Sequence, residues 1–232
     1  MLELFGRIRM KNISKIHSDL LLDNLNQSNL ITTPIQKKRR ILAKGSSDFD
    51  SEYYFYFIIQ GKIKISQINF EDGKEQTLYL LGSDDMFDIA SLLDGKPRES
   101  IIEVLEETEV LEIAIASVRE LLQKEPFFQK LFFPYIAKQL RSMENLAVDL
   151  SLYSVYQRLI RLFIRYFDQN SIQSKLTLLD NLSHEEIASM IGSVRKVVNR
   201  TLQQLKKEGL INLSRKKIEL SSIQKLLDRI DV

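Results

Sequence analysis

The sequence predicts an α+β chain built in series: an N-terminal double-stranded β-roll, one long helix that pairs with a second copy, and a C-terminal winged helix-turn-helix. Three observations carry that prediction. Residues 33–115 are a succession of short β-branched and aromatic runs separated by turn signals. Residues 136–150 carry apolar side chains at spacings of four and three. Residues 183–202 read as two helices hinged at a glycine, the second rich in basic residues at its start.

Residues 1–34 lean towards helix without a strong pattern and form an N-terminal segment. The β-roll, a sensor domain, is expected over 35–125. "YYFYFIIQGKIKIS" (53–66) is an aromatic run, then Gly61 as a tight turn or bulge, then Lys/Ile alternation with the period of a half-buried strand. "FEDGKEQTLYLL" (70–81) sets Asp72-Gly73 between strand-like runs, a hairpin signal. "SIIEVLEETEVLEIAI" (100–115) supplies two more strands, and "SVRELLQKEP" (117–126) a short helix that stops near Pro126.

The long helix is expected over 126–154. Ile136, Leu140, Met143, Ala147 and Leu150 form the narrow stripe of a helix pairing with a helix. Lys138, Arg141, Glu144 and Asp149 flank it, which favours an exposed homodimer seam over packing on the chain's own β-roll. The third domain spans 155–232, with "QRLIRLFIRYF" (157–167) amphipathic and "DQNSIQSK" (168–175) a polar connection.

Ser183 and Glu186 have the spacing of a capping box. Ile187, Ala188 and Ile191 give the first helix an apolar face, and Gly192 permits the turn. A second helix begins near Ser193, with Val194, Val197, Val198, Leu202 and Leu205 on its buried side. Arg195, Lys196, Asn199, Arg200 and Gln203 fall mainly on the other side. Gly209 ends it, and "LINLSRKKIELS" (210–221) reads as a hairpin with Arg215-Lys216-Lys217 at its tip.

Such a second helix lies in the major groove of double-stranded DNA, where an arginine bridging O6 and N7 of guanine contributes about 1–3 kcal/mol of discrimination. The expected DNA contacts are Ser193, Arg195, Lys196, Asn199 and Arg200, with Lys216 of the hairpin tip on phosphates. Charge agrees. From Asn181 to Val232 there are ten Lys/Arg against six Asp/Glu, a net +4, while the whole chain carries only +2.

Composition sets the remaining bounds. The 232 residues are 44% hydrophobic and 28% charged, a globular balance. No apolar run approaches the roughly 18 residues of a membrane span, so no membrane partner is expected. "MLELFGRIRMKNIS" lacks the apolar core of a signal peptide. The absence of cysteine excludes disulfides, thiolate metal sites and a cysteine nucleophile. With two histidines, His17 and His184, no metal site is expected. Ser183-His184-Glu185 could suggest nucleophilic chemistry, but three consecutive residues opening a helix cannot form the relay, and their capping role explains them. No enzyme is expected and no catalytic residue is assigned.

The order of parts resembles the Crp/Fnr family of transcription regulators, and within it the branch of cyanobacterial and red-algal plastid nitrogen regulators. "FIIQGKIKIS", "MFDIASLLDGK", "LSHEEIASMIGSVRKVVNRTL" and "EGLINLSRKKIEL" carry the resemblance, which covers nearly all of the chain after residue 35. It implies a cyclic-nucleotide-binding-like sensor domain, a homodimer on pseudo-palindromic promoter DNA, RNA polymerase as a partner and base reading by Arg195 and Arg200. Lys196 stands where the cyclic-AMP-responsive branch has an acidic residue, so a different half-site is expected.

For the effector, the resemblance argues against cyclic AMP. Asp88 and Ile89 stand where cyclic-nucleotide binders carry glycine and glutamate, and Arg98-Glu99 replaces an Arg-Ser pair. The nitrogen branch binds 2-oxoglutarate. Its pattern maps onto the backbone of Phe87, Asp88, Ile89 and Ala90, onto Arg98 near the strand-arginine position (here Ser100), and onto Glu144; the helix-arginine position is Gln139. A dicarboxylate needs charge-assisted partners, so 2-oxoglutarate, another ligand and no ligand at all remain open, and no cofactor is established. The missing cysteines and scarce histidines argue against haem and iron–sulfur sensing. A plastid stroma, if the gene is plastid-encoded, or else a bacterial cytoplasm is the expected setting; usage rich in Ile, Lys, Asn and Ser agrees with an AT-rich genome. The competing function is an effector-binding or protein-interaction module whose helix-turn-helix has degenerated; the charges of Arg195 and Arg200 argue against it.

Overall fold

The computed structural model describes residues 37–167, 177–214 and 217–230. The predicted N-terminal segment, the connection at 168–175 and Lys216 lie outside the described residues. The described chain forms two compact units, 37–65 with 80–142, and 66–79 with 143–230. These limits differ from the sequence expectation in two ways. The long helix is shared between the units, and residues 66–79 group with the C-terminal unit.

The roll comprises β1 (Lys37–Leu42), β2 (Tyr54–Gln60), β3 (Ile63–Ile68), β4 (Glu75–Leu81), β5 (Met86–Phe87), β6 (Ile101–Val104) and β7 (Thr108–Ala114), with the short helices α1 (Ile89–Asp94) and α2 (Ile115–Lys124). One sheet has the order β1-β7-β2-β5 and the other β4-β3-β6. In the first, Phe55 faces Ile113 and Phe57 faces Leu111 across an antiparallel pair. Those four side chains pack with Met86, Leu92, Val118 and Leu121 into one core. The opposite side of β2 is covered too: Tyr56 is fully buried and stacks on Phe87 at 4.8 Å between ring centroids.

The half-buried strand expected at the Lys/Ile alternation is in fact buried on both sides. Ile63 and Ile65 enter the interior, while Lys62 and Lys64 are covered as well and paired with Glu106 and Glu103. A lysine can lay its methylenes on apolar surface if its ammonium finds a carboxylate, so alternation of charge did not mean alternation of exposure. Gly61 is required for steric reasons. Its φ is +109°, and a Cβ there would stand 2.3 Å from Oγ1 of Thr108, the atom that accepts a hydrogen bond from the Lys62 N–H.

Helix α3 (Pro126–Leu152) runs 27 residues. Phe128, Phe132 and Tyr135 recur at spacings of four and three and are buried in the roll's core. The Tyr135 hydroxyl accepts from the Met86 N–H and donates to its carbonyl, both at 2.8 Å. Burial is the main reason its pKa is pushed well above the usual phenol value. Of the predicted seam, Leu140 and Ala147 are exposed, and Met143 and Leu150 half-buried. Ile136 packs against the roll's core instead. The exposed apolar stripe therefore begins one turn earlier, at Phe133, and continues through Leu140 (61% exposed). Asp149, expected on the solvent flank, is buried and paired with Arg161 and Arg165.

The C-terminal elements are α4 (Val155–Tyr166), a single 3-10 turn (Thr177–Leu179), α5 (His184–Met190), α6 (Arg195–Lys207), β8 (Ile211–Ser214), β9 (Lys217–Leu220) and α7 (Ile223–Leu227). Ser154 and Gln157 form a capping box at the start of α4. Arg158 ties three elements together: its guanidinium donates to the carbonyls of Leu150 and Tyr153, each at 2.8 Å, and of Ile191 at 3.2 Å. These are end-of-helix carbonyls that lack intrahelical partners. Among the described residues no helix is long and apolar enough to cross a membrane.

Candidate nucleic-acid interface and effector cleft

The helix pair at 183–207 is set by local chemistry. Ser183 caps α5 by accepting from the Glu186 N–H, and the Glu186 carboxylate accepts from the Ser183 N–H. Ile187, Ala188, Met190 and Ile191 are buried. Gly192 then takes φ +60°, and any Cβ there would lie 2.4 Å from a Leu150 methyl. Helix α6 starts two residues later than the sequence suggested, at Arg195, with Val194 as its extended N-cap. Val194 is consequently not on the buried side: it is 54% exposed, whereas Val198, Leu202 and Leu205 are fully covered.

That burial fixes which face of α6 is free. Arg195, Lys196 and Arg200 are exposed, and Asn199 and Ser193 are half-buried beside them. Arg195 and Asn199 are four residues apart and Lys196 and Asn199 three, so all share the accessible face of the first two turns. The Ser193 N–H is used internally, donating to the Ala188 carbonyl at 2.9 Å. Strands β8 and β9 pair in register from Ile211↔Leu220 to Ser214↔Lys217, giving the hairpin expected after Gly209. Lys217 is engaged with Glu219 at 3.0 Å.

Sequence reasoning missed one residue here. His184, taken as a plain helix opener, places its Nδ1 in hydrogen-bond contact with Oδ1 of Asn199. The signal was available only as spacing: a side chain at the first position of α5 and one in the second turn of α6 meet because Gly192 folds the two helices together.

The side chains of the six residues assigned to an effector are engaged in different ways. Phe87 is buried in the aromatic stack with Tyr56. Ile89 packs on the roll's core, Ala90 is exposed, and Glu144 belongs to the C-terminal unit. Asp88 and Arg98 do meet, but as partners of each other. Asp88 is buried in the left-handed conformation (φ +68°) at the N-cap of α1, yet its side chain does not cap that helix. One carboxylate oxygen takes the Arg98 guanidinium, and the other accepts from the Ser51 hydroxyl at 2.8 Å. Arg98 also donates to the Ser100 hydroxyl at 3.2 Å. Beside this pair opens a cleft of about 580 Å³ whose lining includes Asp48, Asp50, Glu52, Ser51 and Ser100. Its rim is acidic, and the cation that would meet an anionic ligand already holds a carboxylate.

Residues 36–125 match the cyclic nucleotide-binding domain, and residues 157–229 match the Crp-like helix-turn-helix domain. The CRP-like cAMP-activated global transcriptional regulator of Mycobacterium tuberculosis is 28% identical over 176 residues, 75% of this chain and 78% of that protein. The global nitrogen regulator of Nostoc sp. is also 28% identical, over 167 residues, 70% of this chain and 74% of that one. Among solved structures, FixK2 from Bradyrhizobium japonicum aligns with a TM-score of 0.71 at 17% identity, over 83% of this chain and 96% of its own. A CooA mutant from Carboxydothermus hydrogenoformans gives 0.70 at 20% identity, over 94% and 99%. The structural likenesses establish the fold. The equal identities to a cAMP-activated and a nitrogen regulator do not single out the nitrogen branch.

Proposed function

Because the chain has the fold of the Crp/Fnr-family transcription regulators, whose members are transcription factors rather than enzymes, we propose that it acts as a homodimer on pseudo-palindromic promoter DNA. Helix α6 enters the major groove, Arg195 and Arg200 read base edges, and Ser193, Lys196 and Asn199 complete the contact. Lys216, at the hairpin tip, meets the phosphates and contributes affinity without sequence information. The observation that carries this reading is the division of α6 into a covered face (Val198, Leu202, Leu205) and an exposed basic one (Arg195, Lys196, Arg200). A degenerate helix-turn-helix would have no reason to keep three cations on its free face. Two-fold pairing is supported by the exposed apolar stripe of α3.

Target genes related to nitrogen use, in a plastid or a bacterium, are the setting we favour from the four quoted motifs. Contact with RNA polymerase follows from the same likeness. Cyclic AMP is not the effector we propose, because Asp88 already occupies the Arg98 guanidinium. 2-Oxoglutarate is the small molecule to test first, and it would have to displace that internal carboxylate.

The test is fluorescence anisotropy on duplexes enriched from a random pool, with and without millimolar 2-oxoglutarate and with Arg195→Ala alongside. The proposal expects binding that prefers the enriched sequence at least a hundredfold over random DNA, with Arg195→Ala losing preference more than general affinity. Equal affinity for both duplexes would overturn it. Tightening by 2-oxoglutarate would identify it as an effector; no response would exclude it from that role.

A further inference from the structure

We infer that His184 sets the base preference of Asn199 by standing against the amide oxygen that a bidentate reading of adenine would need. This rests on the proposed base-reading role of α6 and adds a specificity-determining residue outside that helix.

The geometry is local. His184 is the first residue of α5, Asn199 sits in the second turn of α6, and the imidazole Nδ1 faces the amide oxygen. Both side chains are half-buried. An amide oxygen only accepts, so the contact requires the hydrogen on Nδ1 and leaves Nε2 turned away from Asn199.

The consequence lies in what Asn199 has left. An asparagine recognises adenine by using both ends of its amide: the oxygen accepts from N6–H and the nitrogen donates to N7. Here the imidazole stands against the oxygen, where adenine N6 would have to come. The NH₂ group remains, and it can donate to N7 of either purine, guanine O6, thymine O4 or a phosphate oxygen, so adenine loses the second bond that would single it out. Asn199 shares its face with Arg195, four residues away, and with Lys196, three away. The whole exposed cluster thus becomes a set of donors and would favour acceptor-rich edges. His184 does not need to touch DNA for this; it acts as a positioning residue.

Two measurements test it. Long-range proton–nitrogen correlation spectra of the full-length protein at alkaline pH report which imidazole nitrogen carries the hydrogen. The Nδ1–H form of His184 is expected; the Nε2–H form would overturn the inference while leaving DNA binding untouched. Random-pool selection followed by sequencing is then run on wild type, His184→Ala, His184→Asn and Asn199→Ala. His184→Ala should raise adenine about five- to tenfold at one position per half-site, leaving the Arg195-dependent position unchanged. His184→Asn, whose amide donor stands close to where Nδ1 stood, should restore the wild-type preference. Asn199→Ala should flatten that position. An unchanged preference in His184→Ala, or a uniform loss across the half-site, would overturn the inference. Failure of wild type to enrich any sequence would instead bring down the DNA-reading proposal, and this inference with it.

Discussion

Buried Asp88 and half-buried Arg98 form an ion pair in the roll, with the Ser51 hydroxyl completing the carboxylate's partners. The pair places a protein carboxylate against the guanidinium that an anionic effector would need. Removing Asp88 leaves the Arg98 charge without its carboxylate, which costs up to about 3 kcal/mol and less where water from the cleft reaches it. At position 88 glycine also relieves the left-handed backbone strain of an L-residue, roughly 1 kcal/mol. Asp88→Gly is therefore expected to fold with a lowered Tm and to gain a response to anions. In thermal melts, wild type should ignore millimolar cyclic AMP and inorganic phosphate. The variant should rise by roughly 2–4 °C with a ligand present at several times its Kd. A wild-type shift of that size with cyclic AMP would show that the internal pair does not close the site.

The exposed stripe of α3 makes a prediction about assembly. Leu140 is 61% exposed in the single chain, so Leu140→Glu should cost little within the monomer. Across a two-fold seam the same change sets two carboxylates against each other in an apolar strip. Sedimentation velocity should show wild type as a dimer and Leu140→Glu as a folded monomer. Met143→Glu, one turn on, should behave the same way. Dimers in both variants would place the interface elsewhere.

Gly61 and Gly73 both have positive φ, but only one is crowded. A Cβ at Gly61 would lie 2.6 Å from the backbone Cα of Thr108, whereas Gly73 opens onto empty space. Gly73→Ala should destabilise by about 1–2 kcal/mol, the ordinary left-handed penalty. Gly61→Ala should cost that plus the overpacking of the β2–β3 turn against Thr108 of β7, a further ~1–3 kcal/mol. Urea melts of the two variants should separate them; equal losses would contradict the close approach.

Tyr156 and Glu208 give the stability of the C-terminal unit a pH dependence at both ends. The Tyr156 hydroxyl donates to Glu208 at 2.6 Å, and Gln204 donates to the other carboxylate oxygen at 2.9 Å. Burial first, then the Glu208 carboxylate, pushes the phenol up to about 12. The same hydrogen bond, then that from Gln204, holds Glu208 below the usual carboxylate range. For the tyrosine, whose folded pKa lies above the unfolded one, stabilisation is complete below pH 10 and lost as pH rises towards 12. For the glutamate, whose folded pKa lies below, it is complete above the usual carboxylate value and lost as pH falls. Tyr156→Phe should flatten both arms and cost about 1 kcal/mol at neutral pH. An unchanged alkaline arm in Tyr156→Phe would contradict this assignment.

The elements most legible in the sequence were those whose signal is local. The Ser183–Glu186 capping box, the turn at Gly192 and the Asp72-Gly73 hairpin depend on residues within a few positions of one another, and the structure has them. What was not legible depended on partners far along the chain. Lys62 and Lys64 are buried because Glu106 and Glu103 reach them. Asp149 is buried because Arg161 and Arg165 sit across from it on α4. Ile136 leaves the predicted seam because the same helix has to cover the roll's core. The Asp88–Arg98 and His184–Asn199 contacts belong to the same class: residue types suggested function, but only folding showed which groups were already taken.

The most direct test of the central claim is hydroxyl-radical footprinting of the full-length protein on an enriched duplex, with the stoichiometry of the complex measured by sedimentation. Two α6 helices related by a two-fold should protect two half-sites about one helical turn apart, ~34 Å, with two chains bound per duplex. One protected segment with a single chain bound, or protection spread evenly along the DNA, would contradict a dimer reading a pseudo-palindrome.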